Sequence, residues 1–93
     1  MGDKDRLTGD QITALGLADW RPVLASLRGR FKTGGFTTSL EFARRITDVA
    51  EEMNHHPDLA ISWNKVKVSL STHSEGGITE NDFQLATKID SLA

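Results

Sequence analysis

LAISWNKVKVSL, residues 59–70, is the stretch on which the fold turns. Leu59, Ile61 and Trp63 alternate with small or polar residues, and Val66, Val68 and Leu70 alternate with Lys67 and Ser69. Alternation with a period of two marks strands that bury one face. Asn64-Lys65 between the runs reads as a two-residue hairpin loop, because asparagine tolerates the positive φ such turns demand. With that loop Trp63 faces Val66, Ile61 faces Val68 and Leu59 faces Leu70, so all six apolar side chains share one face and Trp63 is a core residue. Carried outward, the same ladder sets His56 opposite His73, with His55 beside them. The three histidines of the chain are thus expected at one end of one hairpin.

Upstream of the hairpin, Leu40, Ala43, Ile46, Val49, Ala50 and Met53 recur at three- and four-residue spacing, the stripe of an amphipathic helix. Pro57 disfavours a helical His56, so this helix is expected to end by about Asn54. Thr8 with Gln11, Thr38 with Glu41 and Thr79 with Asp82 each match capping-box spacing. Leu7 with Ile12 and Ile78 with Phe83 add hydrophobic staples to the first and last of these starts. LRGRFKT (27–33) reads as a strand and WRPV (20–23) as a weaker one, placed at a sheet edge because Pro22 lacks a donor. The expected order is α-β-β-α-β-β-α. It makes an α+β domain spanning residues 1–93, a four-stranded antiparallel sheet with three helices packed on one face. The 27–33 strand is expected to leave backbone groups that invite pairing with another copy.

Ninety-three residues suffice for one domain that buries roughly 60–65% of its unfolded surface. A net charge of −2 argues against a phosphate-binding surface. The absence of cysteine excludes disulfides, thiolate nucleophiles and cysteine zinc sites. No apolar run nears the ~18 residues of a membrane span, and MGDKDRLTGD lacks a signal-peptide core, so the expected location is the cytoplasm.

Three converging histidines admit more than one reading. Paired imidazoles at a helix C-terminus can simply favour the negative end of its dipole. Imidazoles are also common zinc ligands, although adjacent His55 and His56 diverge in extended backbone and no fourth ligand is evident. A third reading is proton transfer. Glu51 precedes His55 by one helical turn and could orient that ring, or it could be a solvated helix residue. Asp82 is already accounted for by its place in a capping box.

Glu51, His55, His56, Pro57, Trp63, His73 and Asp82 follow the spacing E-x3-H-H-P-x5-W-x9-H-x8-D, flanked by NKV, STH and GGITENDF. This pattern resembles the signature of the pterin-4a-carbinolamine dehydratases, and the correspondence extends back through Trp20 to the N-terminal segment. The resemblance implies a lyase that removes water from 4a-hydroxytetrahydrobiopterin by histidine acid–base catalysis, in tetrahydrobiopterin recycling. It implies His55, His56 and His73 as the acid–base residues, Glu51 near His55, and Asp82 in support. The pterin is then held around His55, His56 and Pro57 and around Thr72, His73, Ser74 and Glu75. No cofactor and no metal are implied. The implied partners are the pterin substrate, copies of the chain in a homodimer or homotetramer, and a functional link to an aromatic amino acid hydroxylase, with neither nucleic acid nor membrane. Leu59 stands where many relatives carry an aromatic residue. The alternative reading is a non-catalytic dimerisation cofactor or assembly chaperone, a role some relatives fill on the same fold.

Overall fold

The computed structural model describes residues 19–93, and its first element is a hairpin of β1 (Trp20–Val23) and β2 (Ser26–Lys32). The expected first helix, with its Thr8–Gln11 cap and Leu7–Ile12 staple, lies outside the described residues. The elements that follow are α1 (Phe36–Met53), β3 (Asp58–Ser62), β4 (Lys65–Leu70), a 3-10 turn at His73–Glu75, and α2 (Glu80–Asp90). The sheet is antiparallel with order β1-β2-β4-β3. Pro22 is therefore on an edge strand, as its missing donor requires. The 27–33 segment is not: β2 is paired on both sides, and the edges are β1 and β3.

The centre of the sheet is settled by pairing of β2 with β4. Leu27, Gly29 and Phe31 lie opposite Leu70, Val68 and Val66 on one face, where α1 and α2 cover them. Gly29 is required there. A Cβ at that position would lie 2.7 Å from the ring of Trp20, its partner on β1. Trp20 in turn meets Phe31 edge-on at 5.6 Å, and Phe31 meets Phe42 of α1 at 5.1 Å.

The β3–β4 register differs from the expected one. Ile61 pairs with Val66, Leu59 with Val68 and Ser62 with Lys65, so the two-residue turn is Trp63-Asn64. A slip of two residues keeps every side chain on its own face, so the apolar alternation cannot distinguish the two registers. Additional contacts select one of them: β2 pairs Phe31 with Val66, and Thr33 N–H donates to the Asn64 carbonyl at 2.9 Å. The edge strand is incompletely covered. Ile61 is 41% and Trp63 66% exposed, so Trp63 is a surface residue.

Helix α1 starts at Phe36, with Gly35 as its cap and no side-chain cap bond, so the Thr38–Glu41 box does not form. The reason lies in the preceding turn. Gly34 (φ 80°) reverses the chain, and the hydroxyl of Thr33 bonds that of fully buried Ser39. This rotates the buried stripe onto Ser39, Phe42, Ala43, Ile46 and Ala50, leaving Leu40 48% exposed. The C-terminus comes where Pro57 requires it. Asn54 adopts the left-handed conformation (φ 51°), its N–H reaching the Glu51 carbonyl and that of His55 the Ala50 carbonyl, both at 3.1 Å. These are the two bonds of a Schellman closure. Helix α2 carries the expected box, with Thr79 and Asp82 bonded reciprocally.

Candidate functional site

Three backbone devices meet beside the C-terminus of α1. The closure at Asn54 turns His55 back towards the helices. After β4, Thr72 N–H donates to the Gly77 carbonyl at 2.9 Å, pinching residues 73–76 into a short loop that Gly76 closes with φ 67°. The capping box then places Asp82 at the third position of α2, where the helix dipole favours a negative charge.

Asp82 is fully buried, and both of its oxygens are engaged. Oδ1 lies 2.6 Å from His55 Nε2, while Oδ2 accepts from Thr79 N–H and from the Thr72 hydroxyl, each at 2.9 Å. The Thr79 hydroxyl accepts from the Asp82 N–H and sits 2.7 Å from the Thr72 hydroxyl. These contacts have one consistent set of donors. Thr72 gives its proton to Asp82, Thr79 gives its proton to Thr72, and Asp82 N–H serves Thr79. The carboxylate is left to accept, so Nε2 of His55 carries the proton and donates. Nδ1 is the remaining nitrogen, an acceptor in the neutral ring. Desolvation of the buried carboxylate is offset by three donors and a helix N-terminus.

The other expected residues divide differently. Glu51 was expected near His55, but its carboxylate lies 2.9 Å from His56 Nε2, because the left-handed residue at Asn54 rotates the chain between them. Both members of that pair are more than half exposed. His73 is exposed in the 3-10 turn with Ser74 and Glu75. It does not face His56 across the ladder, which ends at Asp58 opposite Ser69. Its link to the cluster is instead through Thr72, its chain neighbour, which shares Asp82 with His55. Pro57 is half-buried, between the histidine pair and β3. The sequence marks Thr79 as a cap, and its hydroxyl also belongs to the same network, a role that the capping-box spacing with Asp82 signals.

The clearest displacement of a proton affinity is elsewhere, on the surface of α1. There the hydrogen bond and charge of Arg44 hold the Glu41 carboxyl below its ordinary value. Among the described residues no three His, Asp or Glu side chains form a group that could hold a metal ion, and no helix is long and apolar enough to cross a membrane. A concavity of ≈ 790 Å³ lies away from the histidines, over the face of the sheet turned from the helices.

Residues 5–92 match the family described as Pterin 4 alpha carbinolamine dehydratase. A relative from Sulfolobus acidocaldarius is 53% identical over 66 residues, 71% of this chain and 72% of its own length. One from Thermosynechococcus vestitus is 44% identical over 91 residues, 96% of each chain. Both are provisionally named as pterin-4-alpha-carbinolamine dehydratases. Among solved structures, a transcriptional coactivator/pterin dehydratase from Brucella melitensis superposes with TM-score 0.89 at 33% identity, covering 96% of this chain and 99% of that one. A pterin dehydratase-like RuBisCO assembly factor of the alpha-carboxysome shares the fold at TM-score 0.69 and 22% identity, covering 83% and 92%.

Proposed function

This chain belongs to the pterin-4a-carbinolamine dehydratase family, and on that premise we propose that it removes water from a 4a-hydroxytetrahydropterin to give the quinonoid dihydropterin, as in tetrahydrobiopterin recycling. The observation that carries this reading is the buried Asp82 carboxylate holding His55 by Nε2. A pinned ring with one free nitrogen is what a proton-transfer step needs.

The reaction removes the hydroxyl from C4a, which departs as water with a proton from a general acid. It removes the proton from ring nitrogen N5 to a general base, for a net loss of one water. No electrons enter or depart. Nδ1 of His55 accepts the N5 proton, and Asp82 stabilises the imidazolium that results. Exposed His73 and His56 are the proton sources for the departing hydroxyl, with Glu51 orienting His56. Imidazole can both give and take a proton, which suits these side chains to the two halves of the step. The pterin lies against His55, His56 and Pro57 on one side and His73, Ser74 and Glu75 on the other. The resemblance groups Thr72 with that loop, but its hydroxyl is committed inward to Asp82 and Thr79, so its part is to position.

Turnover of chemically generated 4a-hydroxytetrahydropterin is the direct test. The expected result is that the protein accelerates loss of the carbinolamine absorbance well above the uncatalysed rate. Equal rates with and without the protein would leave the non-catalytic binding role as the better reading.

A further inference from the structure

The face of the sheet turned away from the helices carries an unusual distribution of charge. Directly opposite one another on neighbouring strands stand Arg21 and Arg28, Arg30 and Lys67, and Lys32 and Lys65. These are six of the eleven Lys and Arg residues in a chain with thirteen Asp and Glu. Each pair is a like-charge pair at cross-strand contact, an arrangement that destabilises a ladder. A merely solvated face would interleave the signs. None of the six lies within ion-pair distance of a carboxylate among the described residues. Four of them, Arg21, Arg28, Arg30 and Lys67, line the ≈ 790 Å³ basin, whose own acids are Asp19 and Asp58.

From this arrangement we propose that the open sheet face binds the phosphate backbone of duplex nucleic acid, without reading its sequence. Side chains two residues apart on a strand repeat at about 6.6 Å and neighbouring strands at about 4.8 Å, so β2 and β4 present cations in two parallel rows. Arginine, half of the set, matches phosphate geometry through its planar fork. The character of the face favours nucleic acid over an acidic protein. Among the described residues its only aromatic neighbour is Trp20, which borders the basin with its ring buried against Gly29 and Phe31, whereas protein interfaces depend on exposed apolar and aromatic anchors. The lack of an exposed ring likewise disfavours single strands, which are held by stacking on aromatic rings. The net charge of −2 does not oppose this binding. Apart from Asp19 and Asp58, the carboxylates among the described residues lie on α1, α2 and the 3-10 turn, and charges more than about 8–10 Å apart in solvent are largely screened at physiological salt.

The experiment is fluorescence anisotropy of a labelled mixed-sequence DNA duplex with the full chain, at about 50 and 200 mM NaCl, alongside Arg28→Glu/Arg30→Glu. If about four phosphates are engaged, affinity falls on the order of 10²-fold between those salts. The double variant is expected to bind at least tenfold more weakly while melting at the same or a higher temperature. It converts two like-charge pairs, with Arg21 and Lys67, into opposite-charge pairs, so lost binding cannot be ascribed to unfolding. Dehydration activity, which this face does not serve, is expected to be unchanged in the variant. Absence of binding at the lower salt, or equal binding by the variant, overturns the proposal. Equal or tighter binding of a labelled polyglutamate peptide overturns the nucleic-acid assignment in favour of an acidic protein partner.

Discussion

His55 and Asp82, 27 positions apart in the chain, meet at 2.6 Å. The contact joins the end of one helix to the start of the other, so the packing of α1 against α2 and the orientation of the imidazole are one and the same constraint. A change that loosens either is felt by both.

Replacing His55 tests the proton-transfer role, and the choice of substitute matters. His55→Gln retains an N–H that can reach Asp82 but has no group that titrates. It is expected to fold normally and to lose on the order of 10²–10⁴ in kcat. His55→Ala leaves one oxygen of a buried carboxylate unpaired and is expected to cost about 1–3 kcal/mol of stability as well. Stopped-flow turnover and thermal melts separate the two effects. Near-normal turnover by a well-folded His55→Gln protein would remove His55 from the mechanism.

Thr72 distinguishes positioning from substrate contact. Thr72→Val keeps the shape but deletes the hydroxyl between Thr79 and Asp82. The expected outcome is a loss of about 1–3 kcal/mol in stability, a lower kcat and an unchanged KM, with recovery in Thr72→Ser. Nitrogen NMR of the His55 ring gives a readout independent of rate. The proton resides on Nε2 in the parent and is expected to distribute over both nitrogens in the valine variant. A rise in KM with kcat unchanged would instead mark the hydroxyl as a pterin contact.

The turn between β1 and β2 holds a stabilising substitution. Leu24 is 95% exposed and sits at φ 56°, a conformation that leucine adopts at a cost. Leu24→Gly is expected to raise stability by about 0.5–1 kcal/mol, the relief exceeding glycine's larger entropy loss. Chemical denaturation measures it, and no gain would mean that the turn relaxes in solution.

Strand β3 is the edge best suited to a second copy. It presents open backbone, and the exposed Ile61 and Trp63 lie in and just beyond it, with Phe36 and Leu40 exposed on α1. A symmetric homodimer through this edge is expected by light scattering at micromolar concentration, and Trp63→Arg is expected to shift it towards monomer. A parent protein that is monomeric and fully active would show that the edge is unused.

Much of the fold was legible because each element leaves a periodic trace. The four strands and both described helices fall within a few residues of where alternation, Pro22, Pro57 and the Thr79–Asp82 spacing put them. Two errors have different causes: periodicity in a strand locates a face but not a position along it, and in a helix apolar spacing misses a buried polar residue. The β3–β4 register moved by two residues without changing face. The α1 stripe turned from Leu40 towards Phe42 because Ser39, a polar residue, is buried by its bond to Thr33. The sequence singles out the histidines and both acids, but not which acid meets which histidine. Glu51 reaches His56 only because of a left-handed residue at Asn54, and Asp82 reaches His55 only through the packing of the helices. Neither leaves a trace in local spacing.

The reversal at Asn54 also separates two identical neighbours. His55 keeps 15% of its side-chain surface in solvent and His56 keeps 58%. A reagent that acylates unprotonated imidazole would meet them as different substances. His56, and exposed His73 with it, should acylate early, while His55 reacts at the rate at which the gap between the helices opens. Its labelling kinetics would thus serve as a clock for that opening, read from a single atom.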